Sequence, residues 1–267
     1  MQSIVITGSS QGIGLGLARE FLKRSCRVVL SARGRDRLET ARKQLVDEFG
    51  ADGVISVPCD VTDLRQVRFL WDEAARSFGR VDIWINNAGI MNTAKPYWEL
   101  DPAEIAAVVN TNMLGVMYGT YVAFQGMLAQ GHGQIYNLEG MGSNDNMRAG
   151  FTVYGTTKRA LRYFTESLVK ESGATPVQIG TLGPGIVVTD FLIENMKKMP
   201  KEEYEKVRMI YNIIADKVET VTPFLVENIL SNTSTGAKID WLTDEKSAER
   251  FNSDAYASRN LLGEFGL

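Results

Sequence analysis

The chain has 267 residues, of which 44% are hydrophobic and 23% charged, ordinary usage for a soluble globular protein with one sizeable core. That length suits a single α/β domain. A formal net charge of -3 with no basic tract excludes the electropositive surface that nucleic-acid binding requires. Short β-branched runs at 3–7, 27–31, 54–58, 82–86, 134–138 and 177–182 alternate with amphipathic helix-like stretches at 12–24, 35–49, 63–78, 101–129 and 152–171. This alternation predicts βαβ units around a parallel sheet buried on both faces. Right-handed crossovers then wind it into a Rossmann-like doubly wound α/β fold.

The 101–129 stretch carries a helix start: Asp101 as N-cap, Pro102 at the first helical position and Glu104 in the first turn. Residues 190–216 break the rhythm. Rich in methionine and holding Lys197, Lys198 and Pro200, they read as a helical insertion or lid over a site, with a surface helix pair for subunit packing as the alternative. Residues 238–242 read as a last edge strand, followed by a helical tail from Asp244. No repeat, low-complexity tract or linker divides residues 1–267, so one domain is expected.

The single histidine, His132, and the two cysteines, Cys26 and Cys59, do not make a usual zinc site, and no resident metal is expected. Both cysteines read as small buried apolar residues. His132, in a Gly-His-Gly turn, reads as a solvated loop side chain. The first strand begins almost at Met1, leaving no room for a signal or transit peptide. No apolar run reaches about 18 residues, so the expectation is a cytoplasmic protein without an integral membrane segment.

Thr7-Gly8-Ser9-Ser10-Gln11-Gly12-Ile13-Gly14 follows the first strand and opens the first helix. A pyrophosphate is attracted to unpaired helix-start amides and the positive end of the dipole, and glycines let it approach the backbone. At the end of the second strand stand Leu30-Ser31-Ala32-Arg33-Gly34-Arg35, where an acid would bind the two ribose hydroxyls of NAD. With no acid and two arginines there, Arg33 is expected to meet a 2′-phosphate, which makes the cofactor NADP(H). The alternative is that both arginines cap a solvated helix start. Asp60 and Val61 after the third strand are placed at the adenine edge. Asn87, Ala88 and Gly89 after the fourth are placed where backbone passes the cofactor.

Tyr154 and Lys158 are four residues apart at a helix start and so share one face. A phenol ordinarily keeps its proton to about pH 10, and a nearby ammonium is expected to bring it into working range for acid–base chemistry at a carbonyl. The alternative is a half-buried tyrosine beside an extended lysine.

In order along the chain stand Thr-Gly-(three residues)-Gly-Ile-Gly at 7–14, Asn-Asn-Ala-Gly at 86–89, Tyr-Gly-Thr-Thr-Lys at 154–158 and Gly-Pro-Gly-Ile-Val-Val-Thr at 183–189. Together they resemble the short-chain dehydrogenase/reductase family over residues 3–190. The resemblance implies that Tyr154 is the general acid in the reductive direction and that Lys158 tunes it and binds the nicotinamide ribose. It also implies that Asn112 holds a proton-relay water, with Asn110 the rival position. Pro184, Gly185, Val187 and Thr189 would contact the nicotinamide. The family's usual serine after strand five is absent, and Gly140 stands in its place. Ser143 is the candidate replacement or a plain loop serine, and Glu139 is expected to point away from the site.

Asn-Leu-Glu-Gly-Met-Gly-Ser at 137–143 is similar to the chlorophyll b reductases, as are Trp-Ile-Asn-Asn-Ala-Gly at 84–89 and Met-Ile-Tyr-Asn-Ile-Ile at 209–214. The reaction implied is NADPH-dependent reduction of the C7 formyl group of chlorophyll b to hydroxymethyl. The partner would be a small molecule, a large apolar ring aldehyde, with Phe191, Met196, Met199, Met209 and Trp98 lining its pocket. Two alternatives are a general carbonyl or alcohol oxidoreductase and a non-catalytic NADP(H)-binding regulator. A homodimer or homotetramer packed through 101–129 and 152–171 is implied by the family.

Overall fold

Strand β1 (Ser3–Thr7) leads into helix α1 (Gly12–Lys23), and the alternation continues with β2 (Arg27–Ala32), α2 (Arg35–Phe49), β3 (Val54–Pro58), α3 (Leu64–Phe78) and β4 (Ile83–Asn86). After β4 come α4 (Pro102–Val109), α5 (Gly115–Gln130), β5 (Gly133–Leu138), α6 (Thr152–Glu171) and β6 (Val177–Gly183). The computed structural model describes residues 1–144, 146–199 and 201–267. Pro200, read from sequence as part of the insertion, lies outside the described residues. A third group follows: β7 (Ile186–Val188), α7 (Asp190–Lys197), α8 (Lys201–Ile214), β8 (Ala215–Lys217), α9 (Val218–Ser231), β9 (Ala237–Asp240), α10 (Asp244–Phe251) and α11 (Asp254–Ala257).

Seven strands form one parallel sheet in the order β3-β2-β1-β4-β5-β6-β9. The predicted edge strand at 238–242 is β9, starting one residue earlier and ending two residues earlier, and it pairs with β6 from Gly180 to Gly183. Alternate residues of a strand face opposite sides, so Ile4 and Ile6 join the core under α1, α2 and α9. Val5, between them, joins Val29, Trp84 and Ile135 under α3 and α5. After β3 the chain crosses to the far side of β1 to lay down β4. The loops leaving β1 and β4 therefore diverge, and such a switch point is where doubly wound sheets open a ligand crevice.

The predicted 101–129 helix is interrupted. Asp101 caps it as expected, accepting from the Ala103 amide at 2.8 Å, but residues Asn110–Leu114 form a π-helical turn between α4 and α5. Such a turn rotates the side chains around it. Here it leaves Asn110 exposed and drives Asn112 fully inside. No element is predicted over 218–231, where α9 packs Val221, Leu225 and Ile229 into the core. Pro223 inside that helix is a residue that argues against a helix from sequence.

The insertion does form helices, α7 and α8, and the tiny parallel pair β7–β8 closes its base. Its core is Val188, Met196, Val207, Tyr211 and Ala215, completed by Leu261 and Leu262 from the C-terminal tail. Asp216 fastens that tail: its carboxylate meets Arg250 at 2.8 Å and Arg259 at 3.3 Å, and accepts from the Trp241 indole at 2.7 Å. His132, expected as a solvated loop side chain, is only partly exposed and sets Nε2 3.0 Å from buried Asp82. Among the described residues no helix is long and apolar enough to cross a membrane. Asp216→Ala would strand the Arg250 charge in the interior. Urea unfolding should then show a loss of about 3–5 kcal/mol, against which a change below about 1 kcal/mol would mean that the tail is held by apolar packing alone.

Candidate active site

A cleft of about 1040 Å³ opens where the β1 and β4 loops part. Gly8, Ser10, Gln11, Gly12, Ile13 and Gly14 line one wall, and Asn87, Ala88 and Gly89 the floor. Asn87 ties the two loops together. Its Nδ2 donates to the Thr7 carbonyl at 2.8 Å and the Gly8 carbonyl at 2.9 Å, while the Asn87 and Ala88 amides both donate to Thr7 Oγ1 at 3.1 Å. This lacing requires glycine at position 8: its φ is +66°, and a Cβ there would lie 2.7 Å from Ala88 Cα. Helix α1 begins at Gly12 without a side-chain cap, which leaves its first-turn amides to face an anion in the cleft. Pro184, Gly185, Val187 and Thr189 form the opposite rim, with Thr189 also capping α7.

Arg33 lines the cleft, and Arg35 does not. Arg37, one helical turn beyond Arg33 and unnoticed in the sequence, lines it as well and donates to Gln11 Oε1 at 3.1 Å. Asp60 departs from its expected place. Its Oδ1 accepts from the Thr62 amide at 3.0 Å and hydroxyl at 2.8 Å, so it stabilises a turn while Cys59 and Val61 face the cleft. Burial first, then the Asp60 charge, pushes the Cys59 thiol up to about 12, which leaves it unreactive.

Tyr154 and Lys158 come together at the cleft's inner end, both buried, with Lys158 Nζ 5.8 Å from the Tyr154 ring centroid. Helix α6 is placed there from outside. It has no side-chain cap of its own, and fully buried Asn92 supplies one, its Oδ1 accepting from the Tyr154 amide at 3.1 Å. Nothing in the spacing marks Asn92, because it acts 62 residues away. One turn on, Thr157 donates to the Tyr154 carbonyl at 2.7 Å and accepts from Asn112 Nδ2 at 3.1 Å. Asn112 also bonds the Ile90 backbone twice, at 2.8 and 2.9 Å. Both Nδ2 protons and one acceptance at Oδ1 are thus used, and Asn112 is not among the residues lining the cleft.

Lys158 Nζ donates to the Leu138 carbonyl at 2.9 Å. Burial lowers its pKa to about 8, with the Glu139 carboxylate opposing. Glu139, expected to point away, instead lines the cleft, and its Oε1 is buried without a hydrogen-bond partner. The phenol differs from expectation as well. Burial, with Tyr211 adding to it, holds the Tyr154 proton more tightly than usual, so desolvation outweighs any help from the ammonium. Gly140 lies directly against it: a Cβ at 140 would sit 2.6 Å from the Tyr154 hydroxyl. Ser143 lines the cleft, its carbonyl accepting from Arg159 at 3.1 Å and Arg162 at 3.3 Å.

Of the residues expected around a substrate, Phe191 lines the cleft. Met196 does not; it is 0% exposed in the core of the insertion, because α7 turns its apolar face to Val188 and Tyr211. Met209 and Trp98 are 65% and 83% exposed, and neither lines the cleft. Tyr211 of α8 does line it, a position that helical spacing alone does not separate from core packing.

A doubly wound sheet, a glycine-walled crevice at its switch point and a buried tyrosine–lysine pair define a nicotinamide-dinucleotide-dependent oxidoreductase acting on carbonyl or hydroxyl groups. Residues 2–200 match the short chain dehydrogenase family, and the chain belongs to it. It is 37% identical over 240 residues to the chloroplastic chlorophyll(ide) b reductase NOL of Arabidopsis thaliana, covering 88% of this chain and 67% of that one. It is 33% identical to the probable chloroplastic chlorophyll(ide) b reductase NYC1 of the same plant, over 91% of this chain and 51% of that one. The chain therefore spans from half to two thirds of the length of these relatives. Serine dehydrogenase, solved in a closed form complexed with NADP+, is 25% identical, with a TM-score of 0.78 over 91% of this chain and 95% of that chain. The expectation of a cytoplasmic protein is overturned by the reductases, which are chloroplastic.

In protein prepared without nucleotide, the Lys158 ammonium should titrate near pH 8, measurable by nitrogen NMR of labelled lysine. Glu139→Gln, by removing the opposing charge, should move that titration lower still; an ordinary lysine value in either protein would show that the ammonium is solvated.

Proposed function

We propose that the protein reduces a formyl group on a large planar ring with NADPH, the chlorophyll(ide) b reductase reaction. The observation that carries this reading is the Tyr154–Lys158 pair set at the inner end of a crevice of about 1040 Å³, beside the Glu139-Gly140 segment that resembles the chlorophyll b reductases. The named activity of the plant relatives supports it.

Gly8, Gly12 and Gly14 would hold the NADPH pyrophosphate along their wall, and the cofactor would supply the hydride that the formyl carbon accepts. As the carbonyl π pair withdraws onto oxygen, the Tyr154 hydroxyl gives that oxygen its proton and the product is a hydroxymethyl group. A phenol whose pKa is raised by burial stays protonated until the moment of transfer, which suits an acid in the reductive direction. Lys158, held by the Leu138 carbonyl, places a positive charge where the tyrosinate forms and stabilises it. It also reaches toward the floor at Gly89, where a Cβ would lie 3.9 Å from its Nζ, in keeping with the ribose contact that the family resemblance implies. Asn112 positions α6 through Thr157. Preference for NADPH rests on the lack of an acid at the end of β2 and on two cations there, Arg33 and Arg37, which match a 2′-phosphate.

Purified protein with chlorophyll b should oxidise NADPH and yield the 7-hydroxymethyl pigment, and Tyr154→Phe should lower that rate at least about 100-fold. Turnover of small aldehydes with none of chlorophyll b would place it among general carbonyl reductases instead. For the cofactor, Arg33→Ala combined with Arg37→Ala should raise the KM for NADPH about tenfold or more while leaving that for NADH nearly unchanged; equal changes for both nucleotides would refute the phosphate contact.

A further inference from the structure

A carbonyl oxygen gaining charge is stabilised by more than one hydrogen-bond donor. Tyr154 is one. Position 140, where the short-chain dehydrogenases resembled above carry a serine, has no side chain here. Nor is there room for one without displacement, since a Cβ would sit 2.6 Å from the Tyr154 hydroxyl. The backbone that carries Ser143 is held in place. The preceding Gly142 has φ +94° and lies so close to Gly155 that a Cβ would be 2.6 Å from Gly155 Cα. The Ser143 amide and carbonyl are also bound, to the Gly140 carbonyl and to Arg159 and Arg162.

Tyr211 of α8 brings a second hydroxyl to the cleft. It is 9% exposed, lines the cleft and lies near enough to act electrostatically on the Tyr154 phenol. Its hydroxyl accepts from Arg148 Nη1 at 3.0 Å. A guanidinium only donates, so the Tyr211 proton must go elsewhere, and among the described residues no acceptor takes it. Arg148 is itself fixed, donating to Glu203 at 2.7 Å and to the Met199 sulfur at 3.7 Å, with its guanidinium 4.9 Å from the Phe151 ring centroid. A cation donating to a phenol oxygen makes that phenol a stronger donor.

We propose that Tyr211, polarised by Arg148, donates the second hydrogen bond to the substrate's carbonyl oxygen and so occupies the role left open by Gly140. The inference rests on the reading of Tyr154 as the proton donor in a carbonyl reduction. It makes α8 part of the reaction centre: the insertion supplies a catalytic hydroxyl as well as a wall.

The test compares single-turnover NADPH oxidation by wild type, Tyr211→Phe, Arg148→Met and Ser143→Ala, with chlorophyll b and with a small aromatic aldehyde. Tyr211→Phe should slow hydride transfer about 100-fold with NADPH affinity and thermal midpoint unchanged. Arg148→Met breaks the same contact but keeps the hydroxyl, and should lose roughly tenfold less than that; Ser143→Ala should lose less again. Equal losses in Tyr211→Phe and Arg148→Met would show a purely structural latch and overturn the proposal, as would a larger loss in Ser143→Ala. A wild type inert to both aldehydes would overturn the reductase reading and this inference with it, whereas an active wild type matched by Tyr211→Phe overturns this inference alone.

Discussion

A buried ammonium is unstable unless its charge is answered from inside the protein, and the architecture around Lys158 supplies that answer. The last carbonyl of β5, at Leu138, accepts its proton at 2.9 Å, and the next residue, Glu139, brings a carboxylate into the same desolvated space. Neither compensation is complete: burial still pulls the lysine down to about 8, and one Glu139 oxygen has no hydrogen-bond partner. The end of β5 and the first two turns of α6 are therefore one electrostatic unit. Moving either by an ångström would leave a charge exposed to apolar surroundings at a cost of several kcal/mol.

That dependence explains how many distant contacts converge on the start of α6. Asn92 caps it, Asn112 grips it through Thr157, and Gly142 lies against the backbone of Gly155. The π-turn at Asn110–Leu114 belongs to the same arrangement, because it sends Asn112 inward and Asn110 outward. Without it α4 and α5 would run as one regular helix, and the asparagine would not stand where it meets both the Ile90 backbone and Thr157. Rigidity at a reacting centre has value only if it is transmitted from the scaffold. Here it passes from β4 through Asn92 and from α5 through Asn112.

The parts of this arrangement legible in the sequence are those set by local physics. Strand and helix periods revealed the sheet, and the glycine cluster and Asn87-Ala88-Gly89 fall where backbone must approach a ligand. The i, i+4 spacing of Tyr154 and Lys158 puts both on one helical face. What escaped depends on side-chain direction or on partners far along the chain. Glu139 and Gly140 are adjacent, and no pattern tells which way a carboxylate turns at the end of a strand. Asp60 is a plausible cofactor contact until Thr62 claims it. Met196 of α7 and Tyr211 of α8 both pack in the core of the insertion, yet only the second also reaches the cleft. Beside Arg33, the expected contact, Arg37 lines the cleft as well, because helix α2 starts at Arg35 and brings the residue two positions later around to it.

The glycine at 140 and the tyrosine at 211 are best understood as two halves of one exchange. Without a side chain at 140 the Tyr154 hydroxyl packs directly against the β5 loop, where a Cβ would sit 2.6 Å from it. The same absence means that position 140 carries no hydroxyl donor. On the proposal above, a donor from α8 takes that role across the contact between Tyr211 and Arg148. Its orientation comes from Arg148, whose segment joins β5 to α6. Helix α8 is thereby registered against the very loop that lost its hydroxyl. On the reading proposed here, the wall shaped for a large substrate and the group that activates its carbonyl are the same helix, so binding and chemistry depend on a single docking contact.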